Sequence, residues 1–358
     1  MNTAPLSACA GEPISPTRRQ WLKRAGQYAL LGGLFAGGGW TLARLTNNLW
    51  RVCRERPLMG TSVAINCLAD DREAAGVAIE AAFAHMARVA GELTRFDPAS
   101  PLSRLNRERV LHVVPQHLHA VLREALELSA HTQGAFDATV LPVLRYFETL
   151  RGISRLDGQN DARIAEREQL VDWRRVHLDA LGVRLDTPGM AITLDGIAKG
   201  YVVDQGVATL KAHGIEYGIV DAGGDVHAFT GSDANRHWNV GIVDPLDPRR
   251  VAAVVQVRNA AISTSGNYRV FFSADRRLFH LVNPHTGFSP QGYASMTMVA
   301  ARSILADGMS TAAFSLTLPQ VATHTAARDL QWLAISRDGR EHWRSRELPL
   351  VAGEARTA

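Results

Sequence analysis

Three cysteines in 358 residues leave little thiol chemistry, and their spacing fits no metal site. Cys53 and Cys67 lie in the body of the chain, where an oxidising compartment would permit pairing without requiring it. The thirteen histidines contain no HExxH, and His117 and His119 fall at a predicted helix start, where residues two apart do not face each other; both observations argue against zinc. No GxGxxG and no P-loop is present, which removes the Rossmann and Walker NTPase readings. The formal charge is only +4 and no Lys/Arg block interleaves with aromatics, so a nucleic-acid partner is not expected. Repeats and low-complexity tracts are missing as well. With 46% hydrophobic and 21% charged residues, the chain has the profile of a globular protein with ample core material, and its length allows one large domain or two moderate ones.

Much of the positive charge sits near the N-terminus, and it belongs to a pattern. Thr17-Arg18-Arg19-Gln20-Trp21-Leu22-Lys23 is followed by a glycine-rich, mildly apolar run from Ala25 to Trp40 and by the small residues of Thr41-Leu42-Ala43. Residues 1–43 therefore read as a twin-arginine export signal, and the expected location is the periplasm. The alternative is a basic cap on a membrane helix. The run falls short of the ~20 residues needed to span a bilayer, and its glycines make a poor helix. An uncleaved signal would leave the protein anchored to the inner membrane. Leu6-Ser7-Ala8-Cys9 resembles a lipoprotein box but precedes the basic region, where no signal peptidase would meet it.

Beyond the signal, alternation predicts a strand over Ser62–Leu68, and apolar spacing predicts helices over Asp70–Thr94 and His117–His131. Further strands are expected at Ala191–Leu194, Tyr217–Asp221, Val240–Val243, Val251–Val257, His280–Val282 and Ser295–Ala300, with a last helix over Ala306–Leu318. Gly152–Glu168 is polar and reads as a surface insertion. Helices and strands intersperse without a βαβ rhythm, so the expected class is α+β, with a single domain over residues 50–350.

Glycine- and aspartate-bearing turns recur at predicted strand ends: Gly134 to Thr139, Leu194 to Tyr201, Asp221 to Asp225 and Thr264 to Tyr268. Such turns let backbone approach a ligand and form anion-binding nests, so their number suggests a phosphate-bearing ligand, although each alone is more simply a tight connection. Asp307 and Thr311 are four apart, on one face of a predicted helix, and offer the hard oxygens that Mg²⁺ prefers. Taken alone, Asp307 reads more simply as a helix-start residue than as a ligand.

In order along the chain, these blocks resemble the ApbE flavinyltransferase family. The likeness runs through Met59-Gly60-Thr61, Phe96-Asp97-Pro98 with Ser103-Arg104-Leu105-Asn106, Phe136-Asp137-Ala138-Thr139 and Lys199-Gly200-Tyr201. It continues through Gly223-Gly224-Asp225, Thr264 to Tyr268, His280-Leu281-Val282-Asn283-Pro284 with Thr286-Gly287, and Asp307 with Thr311. The resemblance implies an ApbE-like α+β domain of mixed sheets and flanking helices with an FAD cleft between its lobes. Met59, Phe96, Ala135, Phe136, Asp137, Lys199 and Val282 would contact FAD, Phe96 standing where most members carry Tyr. Mg²⁺ would be held by Asp307, Thr311 and an oxygen of Gly196. Where many relatives read Asp-Leu-Gly-Gly, this chain has Thr193-Leu194-Asp195-Gly196, an acid moved by two places. Two places along a strand restores the same face, so Asp195 is a candidate catalytic base or metal ligand; a turn aspartate bonded to its own backbone is the competing reading. The implied activity is Mg²⁺-dependent transfer of FMN from FAD to a Thr or Ser hydroxyl of a client redox protein, periplasmic or membrane-bound, with release of AMP. Exported relatives serve sodium-pumping, electron-transport and nitrous-oxide-respiration systems, and the Leu-Asp-Gly-Ile-Ala-Lys-Gly variant is compatible with the last. The alternatives are an FAD pyrophosphatase and a non-catalytic flavin-binding or assembly protein.

Overall fold

The computed structural model describes residues 40–44, 49–154, 156–231 and 236–351. The twin-arginine motif, Cys9 and the apolar run as far as Gly39 lie outside the described residues. Thr41-Leu42-Ala43 belongs to an edge strand, β1 (Trp40–Arg44), antiparallel to β2 (Trp50–Leu58). Among the described residues no helix is long and apolar enough to cross a membrane.

Nine strands form one sheet in the order β1-β2-β3-β7-β8-β11-β12-β13-β14, each antiparallel to its neighbours. Here β3 is Thr61–Ala69, β7 Tyr217–Ala222, β8 Asp225–Phe229, β11 Ala260–Gly266, β12 Tyr293–Ala300, β13 Gln331–Ser336 and β14 His342–Arg344. Alternation assigns each residue to a face. Val63, Ile65, Cys67, Val220, Ala222, Met296 and Met298 join the main core beneath helices α1 (Arg72–Leu93), α6 (Ala198–Ala212) and α7 (Ser303–Ala313). Tyr217, Ile219, Val226, Ala228, Ile262, Val299 and Leu333 pack on the opposite side against the hairpin of β9 (Trp238–Val243) and β10 (Val251–Val257). Covering both faces explains why the central strands are continuously buried rather than half polar. A small sheet, β4 (Val110–Leu111), β6 (Gly182–Leu185) and β5 (Val176–Asp179), flanks the main core. Helices α4 (Leu141–Thr149) and α5 (Gly158–Glu168) bury Phe147 and Ile164 in a separate cluster with Phe272 and Leu278.

Helix α1 begins where Asp71 accepts hydrogen bonds from the amides of Glu73 and Ala74, and its apolar stripe runs Ala75, Ala78, Ile79, Ala82, Phe83, Met86, Val89 at helical spacing. Helix α3 (Gln116–His131) matches its expected span. Three expectations are corrected. Ala191–Leu194 is not a strand, because the Asn106 side chain takes both backbone groups of Ile192, donating to its carbonyl at 2.8 Å and accepting from its amide at 2.6 Å. His280–Val282 is not a strand either; the amide of Phe279 is taken by Ser289 Oγ. The helix expected over Ala306–Leu318 is instead α7, ending at Ala313, and a new helix α8 (Leu318–Ala326) that starts at a Thr317/Gln320 capping box.

Candidate functional site

Asp225 opens β8 on the face toward the helices, where it is 2% exposed. One of its carboxylate oxygens accepts from Lys199 Nζ in α6 and the other from Ser263 Oγ in β11. Asp307 comes from α7, 4% exposed, and its Oδ2 accepts the Gly200 amide at 2.9 Å. That contact requires α6 and α7 to touch: a Cβ at Gly200 would lie 2.2 Å from the Ser303 carbonyl oxygen. Burial pushes the Asp307 carboxyl up to about 8, with Asp225 adding to the rise and Lys199 opposing it. Burial works against the Lys199 charge, but Asp225 and Asp307 outweigh it and hold the ammonium above its usual range. With two buried carboxyl groups beside one ammonium, Asp307 holds its proton near neutral pH, and a bound cation would displace that proton and pair with the carboxylate.

The remaining implied metal ligands converge on the same place. Thr311 Oγ1 donates to the Gly196 carbonyl at 3.2 Å, and a Cβ at residue 196 would sit 3.0 Å from that hydroxyl. Ser265 and Ser310 hydroxyls lie 2.8 Å apart beside them. A carboxylate, a hydroxyl and a carbonyl are hard oxygen donors, and with the second buried carboxylate of Asp225 close by they fit Mg²⁺.

Residues 195–197 form a turn leading into α6, so the expectation that two places along a strand return Asp195 to the same face does not apply. The Thr193 hydroxyl instead accepts from the Asp195 amide at 3.2 Å. The Asp195 carboxylate reaches Arg95, whose Nε donates to Oδ2 at 2.7 Å, while Arg95 Nη2 donates to Glu148 of α4 at 2.7 Å. The Phe96 ring is 73% exposed and lies with the Arg95 guanidinium 4.2 Å from its centroid.

Met59 occupies the two-residue hairpin between β2 and β3 with φ 53, a left-handed conformation unusual for a long side chain. Ala135 and Phe136 are buried in the main core. The Asp137 carboxylate is committed inside the protein: it accepts from Thr139 N, Thr139 Oγ1 and Trp173 N at 2.8, 2.6 and 2.9 Å. Burial nevertheless raises its pKa against those bonds. Val282 packs on the cluster beneath α4. Thus Lys199, Gly196, Asp307 and Thr311 are brought together, Asp195 and Phe96 meet through Arg95, and Asp137 serves its own loop.

Three residues of the site carried no assigned role in the sequence. Asp225 had a signal, a carboxylate opening a strand otherwise apolar but for one histidine. Arg95 had none, since nothing local distinguishes it from a surface arginine. The Nδ1 of His280 is buried without a partner among the described residues; burial lowers its pKa to about 4, with Lys199 and Arg269 contributing.

A family model described as ApbE family matches residues 59–334. An FAD:protein FMN transferase of Treponema pallidum is 33% identical over 223 residues, 57% of this chain and 61% of that protein; another, of Haemophilus influenzae, is 29% identical over 239 residues, 64% and 69% of the two chains. The matched region thus spans about three fifths of the first relative's length. The crystal structure of an ApbE protein from Thermotoga maritima superposes with a TM-score of 0.72 at 25% identity, covering 83% of this chain and 97% of that one. The flavin transferase ApbE of Vibrio cholerae gives 0.70 at 23% identity, covering 88% and 100%. The matched region starts at the Met59 hairpin and runs through the Lys199, Asp225 and Asp307 cluster, and with it the chain belongs to the ApbE family.

Proposed function

We propose that this protein is a Mg²⁺-dependent FAD:protein FMN transferase that moves the FMN half of FAD onto a Thr or Ser hydroxyl of an exported client redox protein and releases AMP. The observation that carries this reading is the convergence of Asp307, Thr311 and the Gly196 carbonyl beside the buried Lys199–Asp225 pair. Bound by those three oxygens, Mg²⁺ would neutralise charge on the FAD pyrophosphate. Ile197 gives α6 no side-chain cap and Asp307 takes only the Gly200 amide of its first turn, so the positive end of the helix dipole favours an anion at the same place. Lys199 supplies positive charge there, and the exposed Phe96 face offers a stacking surface for the isoalloxazine. Asp195 Oδ1 has no hydrogen bond among the described residues, so it can accept the client hydroxyl proton. The hydroxyl oxygen forms a bond to the FMN-side phosphorus, and the bond to the AMP oxygen breaks with its electron pair.

The names of the Treponema and Haemophilus relatives support this activity, and the twin-arginine pattern of residues 17–23 supports periplasmic action on an electron-transfer partner. Incubation with FAD, Mg²⁺ and a candidate client should give a covalent FMN adduct by mass spectrometry. Asp307→Ala should reduce transfer at least 100-fold and abolish the rise in thermal midpoint that Mg²⁺ gives the parent protein. Full activity in that variant would sink the metal assignment. AMP release without a client would make the protein a pyrophosphatase, and no AMP release under any condition would make it a flavin-binding protein.

A further inference from the structure

We propose that Arg95 is a positioning residue of the flavin cleft: one planar guanidinium lies over the Phe96 ring and holds the Asp195 carboxylate through Nε, with Glu148 fixing it through Nη2. This rests on the transfer reading above.

The guanidinium makes charge-assisted hydrogen bonds from Nε to Asp195 Oδ2 and from Nη2 to Glu148 Oε1, both at 2.7 Å. Its Cζ lies over the Phe96 ring, 4.2 Å from the centroid. The side chain is only 10% exposed, whereas Asp195 is 44% exposed and Phe96 more so, so the buried member of the set is the arginine and the two groups it holds face solvent. A surface ion pair with long mobile partners fixes little, but a buried fork with two carboxylates and a ring on its face has one geometry. Phe96 has no hydroxyl with which to anchor itself, and its own backbone amide bonds only to Thr94 Oγ1 at 3.2 Å. The exposed ring therefore depends on the cation beneath it for orientation.

The same fork divides the labour of the Asp195 carboxylate. Oδ2 is tied to Arg95, which leaves Oδ1 uncommitted and turned by that tie, the arrangement of a base oriented by a third group. Glu148 matters because it sits on α4, in the cluster with Phe147 and Phe272, and so connects the orientation of Asp195 to a packed element rather than to a loop. A lysine could supply the charge but not two parallel donors and a flat face.

The test separates flavin binding from transfer. FAD binding is read by quenching of flavin fluorescence without client, and transfer by adduct formation with client, on Arg95→Met, Arg95→Lys, Glu148→Gln and Asp195→Asn. Arg95→Met is expected to weaken FAD binding about 10-fold and to lower kcat by about 100-fold. Arg95→Lys should recover part of the binding and little of kcat. Asp195→Asn should lower kcat with binding nearly unchanged, and adding Arg95→Met to it should cost much less in kcat than Arg95→Met costs alone. Glu148→Gln, an isosteric change that leaves Phe96, Arg95 and Asp195 in place, guards against misfolding: it should fold normally and lower kcat about 3- to 10-fold. Parent-like binding and kcat in folded Arg95→Met, or a kcat loss fully additive with Asp195→Asn, would overturn the proposal. A parent protein that binds FAD but transfers nothing would refute the transfer reading, while the fluorescence arm would still report on the Phe96 platform.

Discussion

His280 shows how one enclosed side chain can set a pH dependence. Its pKa in the folded protein is about 4 because burial disfavours the imidazolium, against about 6.5 in an unfolded chain. Between those values the unfolded state binds the extra proton, so stability is fully present above about 6.5 and falls as the pH drops toward 4. His280→Gln removes this titration, so the difference in urea midpoint between pH 7 and pH 4.5 should be smaller in the variant than in the parent. An equal difference would place the acid sensitivity elsewhere. Neither the low pKa nor the buried Nδ1 is visible in the His280-Leu281-Val282 string, because both come from Lys199, Arg269 and the surrounding atoms rather than from chain neighbours. Asp137 makes the converse point: its carboxylate is a loop clamp through Thr139 and Trp173, although its place in the motif implies a ligand contact.

Helix α7 carries Asp307 and Thr311, and its start is held from another element. No side chain at its own N-cap bonds the first amides; Asp204 of α6 accepts from Ser303 N at 2.8 Å, from Ile304 N at 3.0 Å and from His227 Nδ1 at 2.8 Å. Losing an acceptor of this kind leaves two amides unpaired and His227 Nδ1 with the Ser303 hydroxyl, 3.2 Å away. Asp204→Ala should therefore cost about 2–3 kcal/mol in denaturant unfolding, and Asp204→Asn clearly less. Because α7 would fray at the end nearer Asp307, the alanine variant should also show a smaller Mg²⁺-induced rise in thermal midpoint. The start of α7 was misread from sequence for this reason: a cap supplied across space leaves no local signature. The start of α8 is different, since Thr317, Pro319 and Gln320 spell a capping box within four residues. The Asn106 clamp on Ile192 likewise turned an apparent strand into a loop, and it joins residues 86 apart in sequence.

Across the whole molecule, the layered architecture decides the fate of the cysteines. Cys53 pairs in register with Asn66 and Cys67 with Val52, so the two thiols project from opposite faces of adjacent strands and cannot bond without a register slip. Both are buried, and burial pushes the Cys67 thiol up to about 12, with Cys53 adding to the rise. Dithiothreitol should therefore leave the thermal midpoint unchanged within about a degree, and Cys67 should resist alkylation, read by peptide mass spectrometry, until the protein unfolds. A drop in midpoint on reduction would contradict the assigned register.

Local chemistry was enough for the long helix behind Asp71, for strands β3, β7 and β12 of the large sheet and for the hairpin of β9 and β10, since capping and periodicity act within a few residues, but β8 and β11 between them were not read as strands. Which turns meet was settled only by the packed layers. Lys199 finds Asp225 and Asp307 and Gly200 admits Ser303 because α6 and α7 are pressed together on one face of the sheet, and Arg95 joins Asp195 to Glu148 of α4. Those contacts arise from burial, which is a property of the whole chain, and no spacing rule along the sequence encodes them.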